Sequence, residues 1–209
     1  PDNKISFGDL DYEMPQHGFL RNEQSIIELL SNKNGFRLHF SDNEKTKLLY
    51  PFSFSIDIEV EVRKNSLGFN IEISNFSLES MPFTFGLHPY FKLEDLRKVD
   101  LEGLSLECED QKTSLKSRTI DQLNNLNHGI DFLTKTSKNV ALVDLNTSKR
   151  VEVRSNPPMD LTVVWSDPPR NMICVEPWTS PRRSLLTGER KLVIHSGDVY
   201  PLSCEFVVI

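Results

Sequence analysis

The chain has 209 residues, 38% of them hydrophobic and 26% charged, with a formal net charge of −6. That is the balance of an ordinary soluble globular protein, and an acidic chain without a long basic run argues against nucleic acid or an anionic membrane as the main partner. No apolar run is long enough to span a bilayer. Cys108, Cys174 and Cys204 are an odd number without metal-type spacing, which argues against a disulfide framework and for a reducing, cytoplasmic compartment.

The length suits one large all-β domain, and 1–209 is taken as a single domain. The chain begins Pro1-Asp2-Asn3, so either residues have been removed or the numbering starts inside a longer protein. A polar opening leads to Met14-Pro15-Gln16-His17-Gly18-Phe19-Leu20-Arg21. Gly18 permits a sharp turn. His17 and Arg21 could then converge on one polar ligand, the arginine as a fork of fixed donors. A surface loop with an unrelated His and Arg is the other reading. Ser25 to Leu30 is apolar on too many sides to classify by pattern.

The clearest strand follows. Phe52, Phe54, Ile56, Ile58, Val60 and Val62 alternate with polar residues, the period of a half-buried strand. Leu67, Phe69, Ile71 and Ile73 form its hairpin partner across a turn at Lys64-Asn65-Ser66. Next, Phe83, Phe85 and Leu87 alternate with Thr84, Gly86 and His88, which predicts a strand ending on an imidazole. Pro89 cannot continue a central ladder. Gly86 should leave room beside the imidazole for a ligand. A histidine so held exchanges protons near neutral pH, or simply closes a strand.

Short β-type runs then recur at Val99–Leu106, Val140–Leu145, Arg150–Val153, Leu161–Trp165, Met172–Glu176, Lys191–Ile194 and Leu202–Val208. Such spacing suggests a sandwich or barrel. Lys112 to Asn127 reads as a long loop with a turn of helix around Ile120 and Leu123, and long ordered loops are often functional. It ends in His128-Gly129-Ile130-Asp131-Phe132, where Asp131 is also a natural turn residue. In Met172 to Pro181, Cys174 and Glu176 share one strand face. Glu176 thus ends an apolar strand directly before Pro177. Burial disfavours the ionised form of a carboxylate and moves it toward the working range of a general base. Pairing with Arg182 or Arg183 is the alternative role for Glu176. Trp178 could offer its face to a sugar ring or cover the core.

His17-Gly18-Phe19-Leu20-Arg21, Gly86-Leu87-His88-Pro89-Tyr90-Phe91 and Cys174-Val175-Glu176-Pro177-Trp178-Thr179 occur in this order. Together they resemble the aldose 1-epimerase (mutarotase) family, including its hexose-6-phosphate relatives. The resemblance implies a large antiparallel β-sandwich with a sugar cleft, one that could lack N-terminal strands, because the family's strands ahead of the His-Gly motif have little room here. It implies interconversion of the α and β anomers of a free aldose, with Glu176 as base and His88 as acid. His17, Arg21 and Asp131 would hold the sugar, and no metal or organic cofactor is implied.

Acid and base on opposite sides of a pyranose are what mutarotation needs. Arg182, Arg183, Arg190 and Lys191 could bind a sugar phosphate or form a solvated basic loop. A non-catalytic carbohydrate-binding protein would keep Arg21 and Trp178 without using the proton-transfer pair. A metal site of His17, His88 and Glu176 is disfavoured because no short His-x-His or His-x-x-x-His spacing occurs.

Overall fold

Period-two alternation runs through most of the chain, and the backbone answers it with strands. The protein is described here by a computed structural model covering residues 4–31 and 34–209. Among these, the strands in chain order are β1 (Lys4–Phe7), β2 (Leu10–Glu13), β3 (Ile26–Leu29), β4 (Gly35–Ser41), β5 (Phe54–Val62) and β6 (Ser66–Asn75). They continue with β7 (Met81–Phe83), β8 (Tyr90–Lys92), β9 (Val99–Asp110), β10 (Lys116–Arg118), β11 (Asp131–Asp144) and β12 (Lys149–Ser155). Last come β13 (Leu161–Ser166), β14 (Met172–Trp178), β15 (Leu192–Ile194) and β16 (Val199–Val208). Short helices fall between them: α1 (Glu44–Leu49), α2 (Thr119–Leu123) and α3 (Ser184–Thr187). The all-β class expected from the pattern, and the antiparallel sheet implied by the resemblance, are both observed.

The chain forms two units. The first holds the residues up to Arg63, Gly68–Thr84 and Ser180–Ser203, and the second holds Lys64–Leu67, Phe85–Thr179 and Cys204–Ile209.

In the first unit β3 pairs with β4 and β4 with β5, both antiparallel, and β6 lies beside β5. β5 and β6 are the hairpin read from the alternating run. The stretch Ser25 to Leu30 becomes β3. Its pattern resisted classification because it has no buried face: Ile26, Ile27 and Leu29 are all exposed. Asn43 caps α1, its side-chain oxygen accepting from the N–H groups of Lys45 and Thr46 while Thr46 Oγ1 accepts from Asn43 N–H. Such a cap contributes about 1 kcal/mol. The core is aromatic. Phe40, Tyr50, Phe52 and Phe54 are buried, and Tyr50 stands 4.8 Å from Phe52 and 5.6 Å from Phe54, centroid to centroid. Phe7 packs edge-on against Phe52 at 5.1 Å. The one polar tip, Tyr50 Oη–H, donates to Pro82 O at 2.6 Å.

In the second unit β11 is the hub. One edge pairs with β9, while the other pairs with β13 at its start and with β12 at its end. β13 then pairs with β14, β14 with β8, and the Cys204–Val208 part of β16 with β12. The expected long loop at Lys112 to Asn127 is more structured than its composition suggested. Asp110 Oδ1 accepts from the N–H groups of Lys112 and Thr113, and this tight turn returns the chain as β10 against β9. The expected turn of helix is α2.

The stretch ending on His88 also differs from expectation. The strand stops at Phe83, and residues 84–89 are extended but make only one isolated bridge, Gly86 to Trp178. Two prolines explain the break. Leu87 N–H donates to Pro177 O at 3.1 Å, but Pro177 has no N–H to return, and Pro89 has none either. The ladder is therefore one-sided where His88 sits.

Candidate functional site

Although His88 lies outside a regular strand, its register is fixed. Gly86 is opposite Trp178 and Tyr90 is opposite Cys174, so His88 falls directly opposite Glu176. Cross-strand partners share a face, and so do residues two apart along a strand. One face of the second unit therefore presents three rows. The first is Asp131, Trp165, Cys174 and Tyr90. The second is Leu133, Val163, Glu176 and His88, and the third is Lys135, Leu161, Trp178 and Gly86.

Glu176 is only 2% exposed. Its Oε1 lies 3.4 Å from His88 Nδ1, and its Oε2 accepts from Trp178 Nε1–H at 3.0 Å. Beside it Leu133, Leu161 and Val163 form an apolar floor on which Trp178 packs. The carboxylate is thus held between a titratable ring and an indole donor above hydrocarbon. Hydrogen bonds to a charged acceptor of this kind contribute about 1.5–3 kcal/mol.

Gly86 plays a different part from the one expected. A Cβ there would stand 2.7 Å from Trp178 Cδ1 and 3.0 Å from Nε1. The space its missing side chain leaves is filled by the indole, not left for a ligand. Close contact with Gly86 is what lets Trp178 reach back to Glu176.

Around His88 the walls are aromatic. Its ring stacks on Tyr90 with centroids 4.8 Å apart and planes 9° apart. Trp165 meets the same ring edge-on at 6.0 Å, and the Arg170 guanidinium lies 5.5 Å from the Trp165 centroid. Cys174 is fully buried. Burial, and then the Glu176 charge, push its thiol up to about 12, against a weaker pull from Arg170. At neutral pH it is a thiol.

His88, Glu176 and Trp178 thus come together. Asp131 opens β11 on the same face, two strands and one row from Glu176, roughly 12 Å backbone to backbone. His17 and Arg21 are exposed residues of the first unit. The turn expected at Gly18 is present, with Gly18 N–H donating to Pro15 O at 2.9 Å, and His17 itself takes a left-handed conformation at φ 66°. Tyr90, Trp165 and Cys174 were not singled out from sequence as site residues. Tyr90 and Cys174 had a signal, since each lies two residues from His88 or Glu176 in an extended segment. Trp165 had none, because only the β13–β14 register brings it to this face. A separate cleft of about 380 Å³, lined by Asp95, Arg97, Asn127, Pro168 and Asn171, includes none of these residues.

The family profile described as aldose 1-epimerase matches residues 2–198 of the chain. Among solved structures, the Slr1438 protein from Synechocystis sp. PCC 6803 is similar at 25% identity and a TM-score of 0.94, over 100% of this chain and 73% of that one. A galactose mutarotase related enzyme from Lactobacillus acidophilus is similar at 21% identity and a TM-score of 0.81, over 99% of this chain and 78% of that one. A galactose mutarotase-like protein from Clostridium acetobutylicum shares the fold at 15% identity and a TM-score of 0.82, over 100% of this chain and 75% of that one. No curated protein sequence matches the chain.

Proposed function

The chain belongs to the aldose 1-epimerase family, and from that premise we propose that it is a mutarotase, interconverting the α and β anomers of a hexose or hexose 6-phosphate by acid–base ring opening and closure. The observation that carries this is the pairing of His88 with a buried Glu176, Nδ1 to Oε1 at 3.4 Å, on a face walled by aromatic rings. The two groups are adjacent rather than on opposite sides of a pyranose as expected, and because O1 and O5 are both bonded to C1 an adjacent pair can serve both.

Glu176 takes the proton of the anomeric hydroxyl. His88, through its other nitrogen, gives a proton to the ring oxygen, and the C1–O5 bond breaks to leave an open-chain aldehyde. Rotation about C1–C2 presents the opposite carbonyl face. On closure the O5 hydroxyl attacks C1 and returns its proton to His88, while Glu176 returns its proton to O1. Both groups end as they began. General acid–base catalysis of this type is worth about 10²–10⁴-fold per group.

Trp178 holds the carboxylate in place through its N–H, a positioning role. Asp131, on the same face as Glu176, binds sugar hydroxyls. Tyr90, whose residue surface is 60% exposed, offers a stacking face to the sugar ring. The mechanism uses no metal or organic cofactor. No helix among the described residues is long and apolar enough to cross a membrane. All three cysteines are free and buried, which suits a reducing, cytoplasmic compartment.

The exposed Tyr90 ring would serve a non-catalytic carbohydrate-binding protein equally well. One experiment separates the two. Anomer exchange of glucose, galactose and glucose 6-phosphate is followed by NMR with the protein and with Glu176→Gln. Acceleration lost in the variant establishes the mutarotase, and the sugar exchanged fastest names the substrate class. Sugar binding without acceleration establishes the binding protein.

A further inference from the structure

The reactive pair has a third neighbour that anomer exchange does not use. Cys174 precedes Glu176 by two residues on β14 and shares its face. The ligand-type atoms of His88, Cys174 and Glu176 all lie within 4.8 Å of one another. An imidazole nitrogen, a sulfur and a carboxylate oxygen are the donors that zinc-class cations take, and calcium or magnesium would want oxygens alone.

We infer that His88, Cys174 and Glu176 form a three-ligand site for one thiophilic divalent cation of the zinc class, with the fourth position open toward the substrate side. The spacing supports this. Two atoms each about 2.1 Å from zinc at the tetrahedral angle stand about 3.4 Å apart, and His88 Nδ1 and Glu176 Oε1 are 3.4 Å apart already. Sulfur closes the site by a shift of about 1 Å, to reach a bond of about 2.3 Å.

The surroundings also fit. Trp178 N–H donates to Oε2 at 3.0 Å, leaving Oε1 to the metal and fixing the carboxylate from outside, as partners behind metal ligands do. Burial at Cys174, Glu176 and the His88 Nδ1 atom keeps competing water away, while the His88 residue as a whole is partly exposed. On binding, the S–H proton leaves to solvent and a sulfur–metal bond replaces it. Carboxylate and thiolate together then balance the two charges of the cation.

A bound cation would hold the lone pairs of His88 and Glu176, so metal and proton transfer exclude each other. That consequence rests on the mutarotase reading, whereas the site itself does not.

The probe is cobalt(II) alone, added to the metal-free whole chain and followed by absorption. One equivalent should give visible bands of a four-coordinate ion and a strong sulfur-to-cobalt band in the near ultraviolet, both removed by zinc. Cys174→Ala should lose the near-ultraviolet band. His88→Ala, at a more open position that tolerates truncation, should weaken cobalt binding at least about tenfold. Cobalt that fails to bind one-to-one, or a sulfur band that survives Cys174→Ala and so comes from Cys108 or Cys204, overturns the site. In a parallel arm zinc is added to the anomer-exchange assay. A cobalt complex with the sulfur band in a protein that exchanges no anomers keeps the metal site and removes the enzymatic reading. Exchange without any cobalt complex does the reverse.

Discussion

Two aromatic clusters, one in each unit, use similar rings for opposite ends. In the first unit Phe7, Phe19, Phe40, Tyr50, Phe52 and Phe54 pack at centroid distances of 4.8–6.4 Å. Their single polar tip, Tyr50 Oη–H, is spent on a backbone carbonyl, and burial pushes the phenol pKa well above its ordinary value. That cluster has nothing left to do but hold. In the second unit His88, Tyr90, Trp165 and Trp178 are only partly buried or exposed, and the ring nitrogens of His88 and Trp178 converge on Glu176. The lesson is that ring chemistry does not mark a site. Where the polar atoms of the rings go does: Tyr50 Oη–H reaches a carbonyl in one cluster, and His88 and Trp178 reach a buried carboxylate in the other.

The sharpest break between the two should come from Glu176→Gln. It should cut anomer exchange by up to about 10⁴-fold without lowering the melting temperature, since an amide fills the same space without a buried charge. Its counterpart is Phe54→Ala, at a side chain 2% exposed. Truncating such a core ring costs about 3–5 kcal/mol, read as a lower denaturant midpoint, while protein still folded at low temperature keeps its exchange rate. The next pair compares the polar tips. Trp178→Phe removes the donor to Glu176 and should lower kcat by roughly tenfold or more, the equivalent of about 1.5–3 kcal/mol, with KM little changed. Tyr50→Phe strands Pro82 O and should cost about 1–2 kcal/mol of stability, seen in thermal unfolding, with kcat untouched. Should Trp178→Phe move only the melting temperature, or Tyr50→Phe only the rate, the division of labour is wrong.

Sequence carried the parts of this that depend on local pattern. The alternation in β5 and β6 was legible because one face of each is more buried than the other. The three motifs named the family correctly because short runs such as His88-Pro89-Tyr90 and Glu176-Pro177-Trp178 can be read as strings without knowing the fold. What was not legible is register. Nothing local states that residue 88 falls opposite residue 176, since that is set by backbone bonds between segments far apart in sequence. Trp165 was missed for the same reason. Gly86 misled because the absence of a side chain says that something comes close, not what. The continuous strand expected up to His88 failed where Pro89 and Pro177 leave the ladder one-sided, and Pro177, on the partner strand, is one that no pattern in residues 83–91 could reveal.

The chain has two tryptophans, and both belong to the candidate site. Trp178 is hydrogen-bonded to Glu176 and Trp165 sits edge-on to His88. Intrinsic indole emission is therefore a label already installed where it is wanted. A change in its intensity or colour on adding sugar or cobalt would report occupancy of this face directly, and stopped-flow mixing would time it without any engineered dye.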